Sequence, residues 1–229
     1  MPIALRSGRP GSRGEPEKTR AAILKAALEE FSHEGVAGAR TDEIARRAGV
    51  NKALLYYYFK DKEGLYGAVL EQVFSGLSER VLEVLARREL PPRQRLLRYV
   101  EAHFDYIASA PVYPRLVQRE FMRSTGRVLS PVANRVLESY AKPIYITLGD
   151  LIREGIDSGD FRKVNPEQTI TSILGAIIFY FISLPAQQAM NLNLGDPISP
   201  ARIAERRAAV LDFVSAALFV PGQDKGPAR

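Results

Sequence analysis

Apolar positions recur along this chain at helical spacing, and the breaks between the runs fall at Pro, Gly and capping residues. A first helix is predicted to start at Pro16, with Ile23, Leu24, Ala27, Leu28 and Phe31 on one face and Gly35 as the stop. Two short helices follow. Thr41 is expected to N-cap the first, which turns Ile44, Ala45 and Ala48 inward; Gly49-Val50 makes the turn, and Asn51 caps the second, from Lys52 to Phe59. Asp61 should cap a longer helix through Leu65, Val69, Val73, Leu77, Val81 and Leu85, ended by Pro91-Pro92.

The remainder predicts helices over 93–110, 113–123, 132–157, 166–190 and 200–219. Pro143 should kink or break the third of these, and Gly159 should end it. No segment sustains period-two alternation, so the fold class is all-α. The expected organisation is a flexible basic arm over 1–15, a helix-turn-helix unit over 16–62, a helical domain over 63–220 and a tail over 221–229.

Composition narrows the chemistry. Of the 229 residues 46% are apolar, enough for a sizeable core. Cysteine is absent, which excludes a disulfide scaffold, a thiolate metal site and a cysteine nucleophile. The two histidines, His33 and His103, have no paired-ligand spacing, so neither a metal nor another cofactor is expected. Glu101, Asp105 and Glu120 are the carboxylates that could act with His103, but Glu101 and Asp105 lie four apart, which is also the spacing of a solvated helix face. Without a phosphate loop or nucleophile elbow, they do not make an enzyme.

The charge is uneven. Residues 1–62 hold 12 Lys/Arg against 8 Asp/Glu, the other 167 hold 20 against 18, and the net charge is +6. The excess near the N-terminus points to a polyanion partner. Met1–Gly14 has three arginines and no apolar core, so no secretory signal is expected. The charge-free stretch 168–195 has a dense apolar part over 170–184, short of the roughly 20 residues needed to span a bilayer. It reads as a buried helix of a soluble, cytoplasmic protein, with no membrane partner.

The strongest signal is residues 40–62, RTDEIARRAGVNKALLYYYFKDK, two short helices around a tight glycine turn. The second presents a lysine, a run of tyrosines and an N-terminal end whose free N–H groups suit a phosphate. An ordinary αα-corner with Tyr56, Tyr57 and Tyr58 packed inward is the competing reading. Three adjacent helical residues span about 200° of the surface, so at least one must face outward.

Residues 17–70 resemble the N-terminal DNA-binding domain of the TetR (tetracycline repressor) family. The match runs through F-x-x-x-G ending helix one, a Thr opening helix two, the A-G-V turn, L-Y-x-Y-F in the recognition helix and K-x-x-L opening helix four. The resemblance implies a DNA interface built from Arg40, Thr41, Asn51, Lys52, Ala53, Tyr56, Tyr57, Tyr58, Lys60 and Lys62. Thr41 and Lys62 are then phosphate contacts, Lys52 and Ala53 base contacts, and Tyr56 and Tyr57 an aromatic pair touching both. Leu54 stands where the family is often polar, and Tyr58 where histidine is common. Arg6, Arg9 and Arg13 of the arm either enter a minor groove or only add nonspecific attraction.

The partners implied are a near-palindromic double-stranded operator, a second copy of the chain and a small-molecule effector. Expected dimer residues are Ile173, Ile177, Ile203, Val210 and Val214. Expected pocket residues are His103, Phe104, Ile107, Arg119, Met122, Tyr140, Tyr145, Phe179, Phe181 and Gln187, for a hydrophobic or amphipathic ligand.

Overall fold

The computed structural model describes residues 15–109, 112–123, 129–190 and 195–221, without the side chains of 112 and 121–123. The arm up to residue 14, the tail beyond 221 and the Met122 side chain lie outside that description. The described chain forms α1 (Pro16–Gly38), α2 (Thr41–Ala48), α3 (Lys52–Phe59), α4 (Lys62–Leu85), α5 (Pro92–Ser109), α6 (Val112–Arg123), α7 (Pro131–Val136), α8 (Lys142–Asp157), α9 (Pro166–Ala189) and α10 (Pro200–Leu218). Among the described residues the only β pairing is an isolated Phe161–Phe219 bridge. The fold is all-α, as the periodicity predicts.

Breaks fall where the sequence places them. Gly35 takes φ 68° and interrupts α1 three residues before its end. Between α7 and α8 a π-helical turn, Leu137–Ala141, absorbs the break demanded by Pro143, which sits in the first turn of α8 where its missing N–H is harmless. Gly159 follows α8 with φ 78°.

The described residues form two compact units. The first holds the chain up to Val73 with Arg115–Val136, and the second holds Phe74–Pro114 with the chain from Leu137. The expected boundary after Lys62 therefore does not separate them. The first half of α4 belongs to the first unit because Leu65, Tyr66, Val69 and Leu70 are buried there, with Tyr66 edge-on to Phe31 of α1 at 5.2 Å. In the second unit α5 packs on α8, α9 and α10. Its buried face is Leu96, Tyr99, Val100, His103, Phe104 and Ile107. The helix α9, long and apolar enough to cross a membrane, was expected to be buried; it buries only the face of Ile170, Ile173, Ile177 and Phe181, and Arg206 of α10 donates to its Ala176 carbonyl at 2.7 Å.

Candidate nucleic-acid interface

The helix-turn-helix is built from a few local devices. Gly49 adopts the left-handed conformation, φ 70° and ψ 26°, and Val50 N–H reaches back to the Ala45 carbonyl at 3.0 Å. Asn51 caps α3, its side-chain oxygen accepting the Leu54 N–H at 2.7 Å. Asp61 does the same for α4 through the Gly64 N–H at 2.7 Å. Leu55 and Ile44, both with no exposed surface, fill the space between α2 and α3.

The start of α2 is held differently from expectation. Arg40 occupies the N-cap position, and Thr41 is the first helical residue. The Thr41 hydroxyl pairs with the Tyr56 hydroxyl at 3.2 Å, which ties α2 to α3. The Arg40 N–H donates instead to the Glu30 carboxylate of α1 at 3.1 Å, and Glu30 also faces Arg47 at 3.5 Å. Glu30 is buried and was not among the residues expected at the interface. An acidic residue at 30 on the face that carries Ile23, Ala27 and Phe31 was the available signal.

The outer surface matches a polyanion. Tyr57 is 81% exposed and Tyr56 36% exposed, while Ala53 and Lys52 stand open at the start of α3 and Arg40 and Lys60 at its flanks. Tyr58 is half-buried, edge-on to Tyr57 at 5.5 Å. Lys52 pairs with Asp42 of α2 at 3.0 Å, which holds its ammonium more firmly charged. Asp42 competes with a phosphate for Lys52 at this corner. Glu43 is pulled to a pKa of about 2 by hydrogen bonds from Arg46 and then Arg47, so these arginines carry their own counter-ion. Lys62 is turned inward. Its ammonium donates to the Ala37 and Ala39 carbonyls at 3.2 and 3.3 Å, closing the end of α1.

Two family models cover this chain: "Bacterial regulatory proteins, tetR family" over residues 23–69, and "Tetracyclin repressor-like, C-terminal domain" over 92–214. The chain belongs to the TetR family. It is 29% identical to the HTH-type transcriptional repressor SCO4008 of Streptomyces coelicolor, over 80% of this chain and 88% of that protein. It is 43% identical to the HTH-type transcriptional activator FasR of Mycolicibacterium smegmatis, over 43% of this chain and 45% of that one. The crystal structure of the transcriptional regulator SCO4942 from Streptomyces coelicolor superposes with a TM-score of 0.66 at 28% identity, over 86% of this chain and 97% of that one. As a TetR-family member the chain is a DNA-binding transcriptional regulator, not an enzyme. The carboxylates weighed for catalysis have another use: Arg207 of α10 binds Glu101 at 3.2 Å and Asp105 at 2.8 Å on the surface, and the buried Glu120 accepts the Tyr66 and Ser130 hydroxyls at 2.7 and 2.8 Å.

The expected effector residues of this TetR-family chain do not gather as one set. His103, Phe104, Ile107 and Phe181 meet in the core of the second unit, with Phe104 and Phe181 at 5.4 Å. Arg119 belongs to the first unit and donates to the His33 carbonyl. Phe179 is 67% exposed. Tyr145 is exposed, with its hydroxyl toward the Glu167 carbonyl at 3.4 Å. Tyr140 is half-buried in the π-helical turn, and Gln187 donates to Ser183 at 2.7 Å. Phe179, Tyr145 and Arg119 are therefore not lining residues of that core.

The dimer residues need a similar correction. Ile173, Ile177, Val210 and Val214 are each no more than 3% exposed within a single chain and offer a partner little surface; Ile203 is half-buried. The outward stripe of α9 is Gln168, Ser172, Gly175 and Phe179, and α10 presents Phe213, 56% exposed.

Proposed function

We propose that this regulator is a repressor that binds a near-palindromic operator as a homodimer in the cytoplasm and is released by a small hydrophobic or amphipathic effector. The observation that carries the reading is the open face of α3, with Lys52 and Ala53 in its first turn and Tyr57 one turn further along. Lysine and tyrosine hydroxyls reach phosphate oxygens, and the aromatic edge and the alanine methyl suit thymine methyl groups. The likeness to SCO4008, named a repressor, over four-fifths of the chain favours repression.

One helix-turn-helix offers a small contact, so two copies reading two half-sites is the economical arrangement. The surface that supports pairing is the exposed stripe of α9 with Phe213. Between the start of α9 and the end of α10 it contains a groove of about 360 Å³, lined in part by Gln168, Ser172, Ile173, Phe213 and Leu218. Release requires only that the effector favour a conformation with different spacing between the two recognition helices. A coupling of about 1–3 kcal/mol changes affinity roughly 5–150-fold.

Selection of bound duplexes from a random pool tests this. The expected product is an inverted repeat whose half-sites are centred about 34–36 Å apart or a multiple of that. An enriched single half-site, or no enrichment, would contradict the reading.

A further inference from the structure

The core of the second unit contains polar groups that its own packing leaves incomplete. His103 of α5 is 3% exposed, and its Nδ1 lies 3.0 Å from the Tyr99 hydroxyl one turn earlier on the same helix. Its Nε2 is buried with no hydrogen-bond partner among the described residues. Burial pushes the imidazole down to a pKa of about 4, so it is neutral near pH 7.

Counting hydrogens assigns the tautomer. The neutral ring carries one N–H and Tyr99 one O–H, and they share a single mutual bond. If the ring donated from Nδ1, both the tyrosine hydrogen and a bare Nε2 would be left without partners. If Tyr99 donates to Nδ1, only the Nε2–H is left over. Each unmet buried polar group is costly, so the second arrangement, which leaves fewer of them, is favoured. His103 then offers one outstanding donor.

Its surroundings specify what that donor meets. Two phenol contacts flank this part of α5: Tyr99 lies edge-on to His103 at 5.6 Å, and the buried Tyr113 lies edge-on to Tyr106 at 6.1 Å; burial raises the hydroxyls of Tyr99 and Tyr113. Phe74 lies 5.7 Å from Tyr113, and Phe181 packs on Phe104. Of the charged groups on the same helix, Arg93 binds Asp160, Arg95 binds Glu154, and Glu101 and Asp105 bind Arg207, while Arg98 is exposed to solvent. Burial is the sole cause of the His103 shift, so no charge among the described residues acts on the ring.

We infer that the His103 Nε2–H is the polar anchor of the effector site, and that the effector is an uncharged, largely apolar molecule carrying an acceptor oxygen, such as a ketone, ester or ether. The inference rests on the proposed release by a ligand and gives that ligand its chemical class.

The chain has only two histidines, and His33 is exposed, so a sample labelled with 15N-histidine gives one reporter and one internal control. The full-length protein is titrated with 2-decanone, decane and decyltrimethylammonium. The ketone should shift the His103 Nε2–H resonance, leave His33 unmoved and raise the melting temperature. The alkane and the cation should not move His103.

His103→Phe should erase a preference of at least about tenfold for ketone over alkane, the size expected for one buried hydrogen bond. His103→Gln, which retains an N–H, should restore part of it. Equal response to ketone and alkane, no His103 response to the ketone, or a preference surviving in His103→Phe would overturn the assignment. A ketone that engages His103 yet leaves operator affinity unchanged would instead refute release by this ligand class, with the anchor intact.

Discussion

Glu30→Ala removes the one buried carboxylate that positions the start of α2. Its oxygens accept the Arg40 N–H at 3.1 Å and face Arg47 at 3.5 Å. A hydrogen bond to a charged group is worth about 1.5–3 kcal/mol. The Arg47 pair adds little, because that guanidinium is 38% exposed and screened by water. The higher helix propensity of alanine returns a few tenths of a kcal/mol. The expected net loss is about 2 kcal/mol, and at about 2–4 °C per kcal/mol for a chain of this size the melting temperature should fall by roughly 4–8 °C. Circular dichroism at 222 nm measures it, with the exposed neighbour substituted as Glu29→Ala for the control. Operator affinity, titrated well below the transition, should weaken as well, since Arg40 and Thr41 lose their anchor. A Glu30→Ala protein that melts within about 1 °C of wild type would refute the positioning role.

Three further outcomes follow from the second unit. Because the folded pKa of His103 lies near 4, below its ordinary value of 6.5, the unfolded chain binds more protons between those values. Stability should therefore decline as pH falls from about 6.5 to 4, by up to about 1.4 kcal/mol per pH unit, and His103→Phe should flatten that slope in urea titrations. Gly155→Ala would place a methyl 2.2 Å from the buried Phe161 ring, which stacks on Phe219, and should cost about 1–3 kcal/mol by urea denaturation; a neutral result would contradict that packing. Phe213→Asp should yield a folded monomer in sedimentation, whereas Ile177→Asp should unfold the chain; a dimeric Phe213→Asp protein would move the interface elsewhere.

What was legible in the sequence was what short-range chemistry decides. Gly49, Asn51 and Asp61 act within four residues of themselves, and each does what its residue type predicts. Pro143 announced a break, although the π-helical form of residues 137–141 depends on packing that no local pattern encodes. Thr41 was misread because the helix begins one residue earlier: the Arg40 carbonyl accepts the Glu43 and Ile44 N–H groups, and the threonine hydroxyl, inside the first turn, pairs with Tyr56.

The apolar face of α9 was visible, but not its orientation. With aliphatic or aromatic residues on most sides, hydrophobicity alone does not separate Ile173 and Ile177, turned to the core, from Gly175 and Phe179, turned to solvent. The effector residues fared similarly: an aromatic side chain reads the same whether it sits inside, like Phe104, or outside, like Phe179.

Anisotropy titration of the selected operator at fixed salt, with wild type, Lys52→Ala and Tyr57→Ala, tests most directly that α3 reads DNA. Both side chains are at the surface, Tyr57 at 81% exposure, so neither substitution should change the melting temperature appreciably. Each should weaken operator binding by about 1–3 kcal/mol, roughly 5–150-fold. Wild-type affinity in both variants would remove the exposed face of α3 from the interface and contradict the account.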